Sequence, residues 1–113
     1  MNLTPNAEPG HLTLQLPPQL NAEVGSQFRT KIREALGRSP KQLTIDCTHL
    51  TYIDSTGLGL LTLARSEAAR IGCQITLANV GNNHPRKVLE LMKFNQLFTI
   101  TYQSEGQTEG QKA

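Results

Sequence analysis

The sequence predicts an α/β domain: one mixed, mostly parallel β-sheet packed with about three to four helices. Short runs of alternating apolar residues are followed repeatedly by longer runs with helical spacing, the order of β-α-β units. Gly37, Pro40 and Gly72 separate these runs. The chain of 113 residues is long enough for one core and too short for a second.

The first clear strand is His11 to Leu16, with Leu12, Leu14 and Leu16 on one face. Pro17 and Pro18 end it, since neither has an N–H to give to a ladder. Asn21 suits the N-cap of a helix whose inner side carries Val24, Phe28, Ile32, Ala35 and Leu36. Gly37 and Pro40 stop that helix. Lys41 to Cys47 is the next strand, where Leu43, Ile45 and Cys47 alternate with Thr44 and Asp46. A loop containing Leu50 and Ile53 leads to Asp54. The helix beyond runs to about Ile71, burying Leu58, Leu61, Ala64, Ala68 and Ile71, and ends at Gly72. Gln74 to Val80 is the third strand. Pro85 fits the first turn of a third helix, where its missing N–H costs nothing, and Val88, Leu89 and Met92 form the packing face. Leu97 to Tyr102 is a final β-like run. The domain therefore spans residues 11–102. Residues 1–10 are expected as a short strand or extended segment, and 103–113, polar and rich in Gly and Gln, as a flexible tail.

Hydrophobic residues make up 37% of the chain and aromatics 4%, with no Trp, so the core must be aliphatic. A net charge of +2 with dispersed Lys and Arg argues against direct nucleic-acid binding. The most apolar stretch, Gly57 to Ala64, is far below the roughly 20 residues a membrane helix needs, so no membrane insertion is expected. Met1 to Gly10 has two prolines and no apolar run, which gives no signal peptide and a cytoplasmic expectation. His11, His49 and His84 lack metal-ligand spacing and are expected at exposed loop positions; no metal or cofactor is implied. Cys47 and Cys73 are expected as reduced thiols. A parallel crossover places them at opposite ends of the sheet, whereas a disulfide needs Cα atoms within about 7 Å.

Unusual chemistry concentrates in Tyr52-Ile53-Asp54-Ser55-Thr56-Gly57-Leu58-Gly59. Two hydroxyls and two glycines lie where a loop becomes a helix, and free N–H groups with the positive end of the helix dipole favour an anion there. Gly57 and Gly59 are expected to leave the surface bare, so that a large partner can reach Ser55. Helix capping by Asp54 or Ser55 is the simpler reading, and it is compatible with modification.

Leu43 to Gly59, LTIDCTHLTYIDSTGLG, resembles the centre of the STAS family, shared by sulfate transporters and anti-sigma-factor antagonists. There a strand leads through an Asp-Ser-(Ser/Thr)-Gly-Leu turn into a helix. The resemblance continues through Ala69 to Leu77 and Val88 to Ile100, and covers roughly Leu12 to Ile100. It implies a STAS domain acting as a phosphorylation-controlled binding switch, not an enzyme. In the antagonists the serine after the aspartate, Ser55 here, is phosphorylated by the partner anti-sigma factor, an ATP-dependent serine kinase. The unphosphorylated form holds that kinase and frees sigma factor, and a phosphoserine phosphatase resets it. Asp54, Thr56, Gly57 and Leu58 would surround the switch on the docking surface. The family's usual acidic position beside them falls on Asn21, an uncharged amide.

Two other readings stand beside this one. A non-enzymatic STAS subunit of a lipid-transport or stress-sensing complex would use the same surface for docking. A serine hydrolase would need a His base against Ser55, and the sequence offers neither that constellation nor a G-x-S-x-G setting.

Overall fold

The computed structural model describes residues 1–103. Five strands form the main sheet in the spatial order β1 (Leu3–Pro5), β2 (His11–Gln15), β4 (Gln42–Asp46), β6 (Gln74–Val80) and β7 (Thr99–Tyr102). Strand β1 runs antiparallel to β2, and every other neighbouring pair is parallel. Two short strands, β3 (Gln19–Leu20) and β5 (Tyr52–Ile53), pair with each other in parallel. The helices are α1 (Gly25–Leu36), entered through a 3-10 turn at Ala22–Val24, α2 (Ser55–Arg70) and α3 (His84–Leu91). The expected mixed, mostly parallel sheet is present.

Alternation in three strands builds the core. The register aligns Leu12 with Leu43 and Ile75, and Leu14 with Ile45 and Leu77, giving two aliphatic rows across β2, β4 and β6. Between these rows Thr13, Thr44 and Thr76 align on the opposite, half-exposed face. Phe28, Ile32 and Ala35 of α1 and Leu60, Leu61, Ala64 and Ala68 of α2 complete the buried cluster. Among the described residues no polar or charged residue is buried as a whole, so cohesion rests on apolar burial, about 1.5–3 kcal/mol for each large side chain.

Most departures from the expected elements occur at their ends. Helix α1 does stop near Gly37, but Gly37 is right-handed and the chain reverses at Ser39, φ 52°. Helix α2 closes with a left-handed Gly72, φ 72°, while Cys73 N–H donates to Ala68 O at 2.9 Å and Gly72 N–H to Ala69 O at 3.3 Å. This Schellman geometry leaves Ile71 outside the helix and 49% exposed, not in the core stripe. Leu58 is half-buried, and Leu60 takes the inward place instead. Met92 also lies past its helix: α3 ends at Leu91, Lys93 turns left-handed, and Met92 swings out to 53% exposure. Phe94 and Phe98 stack in its stead, with centroids 5.7 Å apart. The last strand accordingly starts at Thr99, leaving Leu97 outside it. Sequence alternation did not reveal β3 or β5, each only two residues long.

The short N-terminal strand forms at Leu3–Pro5. Gln103 is tied down, donating from Nε2 to the carbonyls of Thr48 and Asn79 at 3.0 Å each. The rest of the expected tail, 104–113, lies outside the described residues. Among the described residues no helix is long and apolar enough to cross a membrane, and no cluster of His, Cys, Asp and Glu could hold a metal ion.

Both cysteines are unpaired thiols. Cys47 follows the C-terminal end of β4 and Cys73 precedes the N-terminal end of β6, so the parallel register separates them along the sheet by several residues at about 3.3 Å each. Burial, aided by the nearby Asp46 charge, pushes the Cys47 thiol up to about 12. In the folded protein at pH 8 it is therefore almost wholly protonated as well as inaccessible. A thiol reagent should leave Cys47 untouched in the folded chain, then label both cysteines after unfolding without prior reduction. A Cys47–Cys73 bridge isolated from the native chain would contradict the parallel β4–β6 register.

Candidate functional site

The approach to α2 is fixed from outside the main sheet. After β2, the carbonyl of Pro18 accepts from Thr51 N–H at 2.8 Å, Tyr52 N–H at 3.2 Å and the Thr51 hydroxyl at 3.1 Å. Beyond this three-donor junction, β3 and β5 run in parallel with Leu20 opposite Ile53. Asn21 and Asp54 therefore emerge side by side, each starting a helical turn. The Asn21 carboxamide accepts from Glu23 N–H at 3.1 Å and donates to Gln19 Oε1 at 3.2 Å. Asp54 Oδ1 accepts from Gly57 N–H at 2.9 Å, and the Asp54 carbonyl accepts from Leu58 N–H at 2.9 Å. Two helical starts thus present the positive ends of their dipoles to one surface.

Gly57, expected to leave the surface bare, is instead buried. A Cβ there would collide with the Leu20 carbonyl oxygen and would lie 2.6 Å from Ile53 Cγ1. The first turn of α2 is thus pressed against the ends of β3 and β5, and no side chain fits between them. Gly59 is the opposite case: a Cβ there meets nothing within 4 Å. Gly57 contributes to any docking surface through packing alone, and the bare surface comes from Gly59.

Asp54 performs the capping, which leaves the neighbouring hydroxyl without that duty. Ser55 is the first residue of α2 and is exposed, as is Thr56; Leu58 is half-buried at the rim. Tyr52, 43% exposed, stacks on His84 with centroids 5.0 Å apart and planes 9° off parallel. This brings the start of α3 beside the loop leading to Ser55, a contact between distant segments that no local pattern signals. His11 is half-buried in β2, 3.2 Å from Glu8, and so does not lie on an exposed loop; His49 does. The histidines are thus dispersed over three parts of the fold.

The STAS domain family model matches residues 2–107. The chain belongs to the STAS domain family. A STAS-domain containing protein of Pseudomonas aeruginosa is 34% identical over 97 residues, covering 86% of this chain and 94% of the relative. Two solved structures share the fold of this STAS domain at lower identity. One is a sulfate transporter family protein from Wolinella succinogenes, with TM-score 0.75 and 14% identity over 87% of this chain and 81% of that one. The other is the anti-sigma factor antagonist SpoIIAA of Bacillus in its unphosphorylated form, with TM-score 0.69 and 20% identity over 93% and 90%.

The capping geometry of the STAS turn makes a direct prediction. Asp54→Ala should lower stability by about 1 kcal/mol, while Asp54→Asn, which keeps an acceptor for Gly57 N–H, should cost a few tenths. Urea midpoints for the two variants measure this difference. Equal losses in both would mean that the cap bond contributes nothing.

Proposed function

We propose that this STAS domain is an anti-sigma-factor antagonist, a cytoplasmic binding switch without catalytic residues of its own, controlled by phosphorylation of Ser55. The observation that supports this reading most is the division of labour at the start of α2: Asp54 caps, and the Ser55 hydroxyl next to it stands exposed. In the unphosphorylated state Asp54, Thr56, Leu58 and Asn21 form the surface that holds an anti-sigma factor serine kinase, so that sigma factor is released. In the transfer, Ser55 Oγ attacks the γ-phosphorus of ATP, the new O–P bond forms as ADP leaves, and the hydroxyl proton passes to a base on the kinase. The product places about −1.5 to −2 charges beside the Asp54 carboxylate. Helix dipoles tolerate that charge, but a kinase surface fitted to a neutral hydroxyl does not. A phosphoserine phosphatase restores the binding form.

Relatives fit this reading to the extent of their own descriptions: SpoIIAA is described as an anti-sigma factor antagonist, and its phosphorylated form is also among the similar folds, at TM-score 0.65. Incubation with ATP and the cognate anti-sigma kinase should add one phosphate, located on Ser55 by mass spectrometry and absent from Ser55→Ala. Phosphate on Thr56 instead would refute the residue assignment. The phosphorylated chain should bind the kinase at least tenfold more weakly than the bare chain, with Ser55→Asp intermediate because a carboxylate carries less charge. Equal affinities of the bare and phosphorylated forms would end the switch reading.

A further inference from the structure

A groove between α1 and α2 carries chemistry that the Ser55 surface does not use. Its floor and walls are Phe28, Ile32, Leu63 and Ala64, and its rim is Arg29, Arg33 and Glu67. The recess holds about 100 Å³. That is smaller than the roughly 150 Å³ cavity that takes a benzene ring, and it suits one aliphatic side chain. Leu63 remains 39% exposed at its edge.

The charges at the rim are unequal. Glu67 is already engaged by Arg70 at 3.8 Å, and the neighbouring Glu34 pairs with Lys31 and Arg38. Arg29 and Arg33 have no ion-pair partner among the described residues. They stand four residues apart, one helical turn, so both guanidinium groups border the same side of the recess. The Arg29 guanidinium folds back along its helix: its nitrogens lie 3.6 and 3.8 Å from where a Gly25 Cβ would be, and Leu60 Cδ1 of α2 is 3.9 Å from the same point.

The groove also continues the Ser55 surface. Ser55, Gly59, Leu63 and Glu67 follow one another at four-residue intervals along α2 and so form one ridge. Gly59 leaves that ridge bare between the hydroxyl and the recess. At 1.5 Å per residue, Leu63 lies about 12 Å along the helix from Ser55. A partner footprint of ordinary size, about 800 Å², covers both.

We propose that the α1–α2 groove is a docking site for an acidic, amphipathic helical segment of the protein partner that engages Ser55. An aliphatic side chain of that segment fills the recess beside Leu63, and two carboxylates one turn apart pair with Arg29 and Arg33. Assignment to that partner rests on the reading of Ser55 given above; the chemistry of the groove does not. Unpaired positive charge around an apolar recess selects an anionic, apolar occupant. A recess with two arginines also suits a peptide better than a lipid surface, which is met by an outward apolar face or by clusters of about 4–8 basic residues.

The test uses a blocked helical peptide with two glutamates one turn apart and a leucine on the same face. Titrated into the isotope-labelled chain, it should shift backbone amides around Phe28, Ile32 and Leu63 in NMR spectra. Charge reversal at the rim, R29E with R33E, lies on exposed positions and should weaken binding at least tenfold. The same peptide with lysines replacing its glutamates should recover the loss on the reversed variant. Ser55→Ala should bind the peptide unchanged, so failure at the groove and failure at Ser55 are read separately. With the kinase that modifies Ser55, the reversed variant should show a KM raised at least tenfold and an unchanged kcat. Shifts outside the groove, equal binding of the peptide by the reversed variant, or rim-dependent binding to phosphatidylserine vesicles without peptide binding would overturn the docking site. An unchanged KM would remove its assignment to the kinase.

Discussion

The first turn of α2 lies so close to the end of β3 that the chain there cannot carry a side chain. A Cβ on Gly57 would occupy the space of the Leu20 carbonyl oxygen and crowd Ile53. This contact joins β3, through Leu20, to Ile53 of β5 and the first turn of α2, which lie far along the chain from it. The three donors converging on Pro18 O draw the two loops together, and glycine permits the helix to sit down on them. With backbone so placed, Asp54 reaches Gly57 N–H as a cap, and Ser55 has nowhere to project except outward. The exposure of the hydroxyl is a consequence of backbone packing two residues further on.

Much of this was legible in the sequence because it depends on periodicity. The period of two in His11–Gln15 and Gln42–Asp46, together with the third strand Gln74–Val80, fixed the sheet interior, and the spacing of Phe28, Ile32 and Ala35 fixed the inner face of α1. Periodicity carries no information past the point where a helix ends. The 3.6-residue spacing points Ile71 and Met92 inward, but a Schellman turn at Gly72 ends α2 before Ile71 and a left-handed Lys93 follows Met92, so both are exposed. Strands of two residues have no period at all, so β3 and β5 became visible only through their pairing. Glycine permits close backbone approach, as at Gly57, as well as open surface, as at Gly59, and composition does not distinguish the two. The Tyr52–His84 stack and the arginine-rimmed groove arise from tertiary neighbours, which lie outside any local window.

The site combines a rigid presentation with an undemanding local chemistry. Asp54 is engaged with the backbone and Asn21 with its own turn, so the polar groups flanking Ser55 are held in place by bonds unrelated to any partner. A partner docking there under the proposed reading would meet an ordered surface and lose little entropy in ordering it. Asn21 makes that surface less negative than an acidic residue would, while the charge available for partner selection stands at Arg29 and Arg33. Under the proposed reading, recognition of this STAS domain is shared between the Asp54–Ser55 turn at the start of α2 and the arginine-rimmed groove between α1 and α2.

Amide hydrogen exchange on Gly57→Ala tests the central constraint most directly, with Gly59→Ala as the control. Thr51 and Tyr52 N–H groups report the junction at Pro18, and the amides of Leu43 and Ile45 report the main sheet. Forcing a methyl group against backbone costs about 1–3 kcal/mol, a factor of roughly 5 to 150 in local opening. The constraint predicts that Gly57→Ala speeds exchange at Thr51 and Tyr52 by at least about fivefold more than at Leu43 and Ile45, whereas Gly59→Ala leaves all four unchanged or slower. Unchanged exchange at Thr51 and Tyr52 in Gly57→Ala would contradict it, because the contact with Leu20 would then not hold the start of α2 in place.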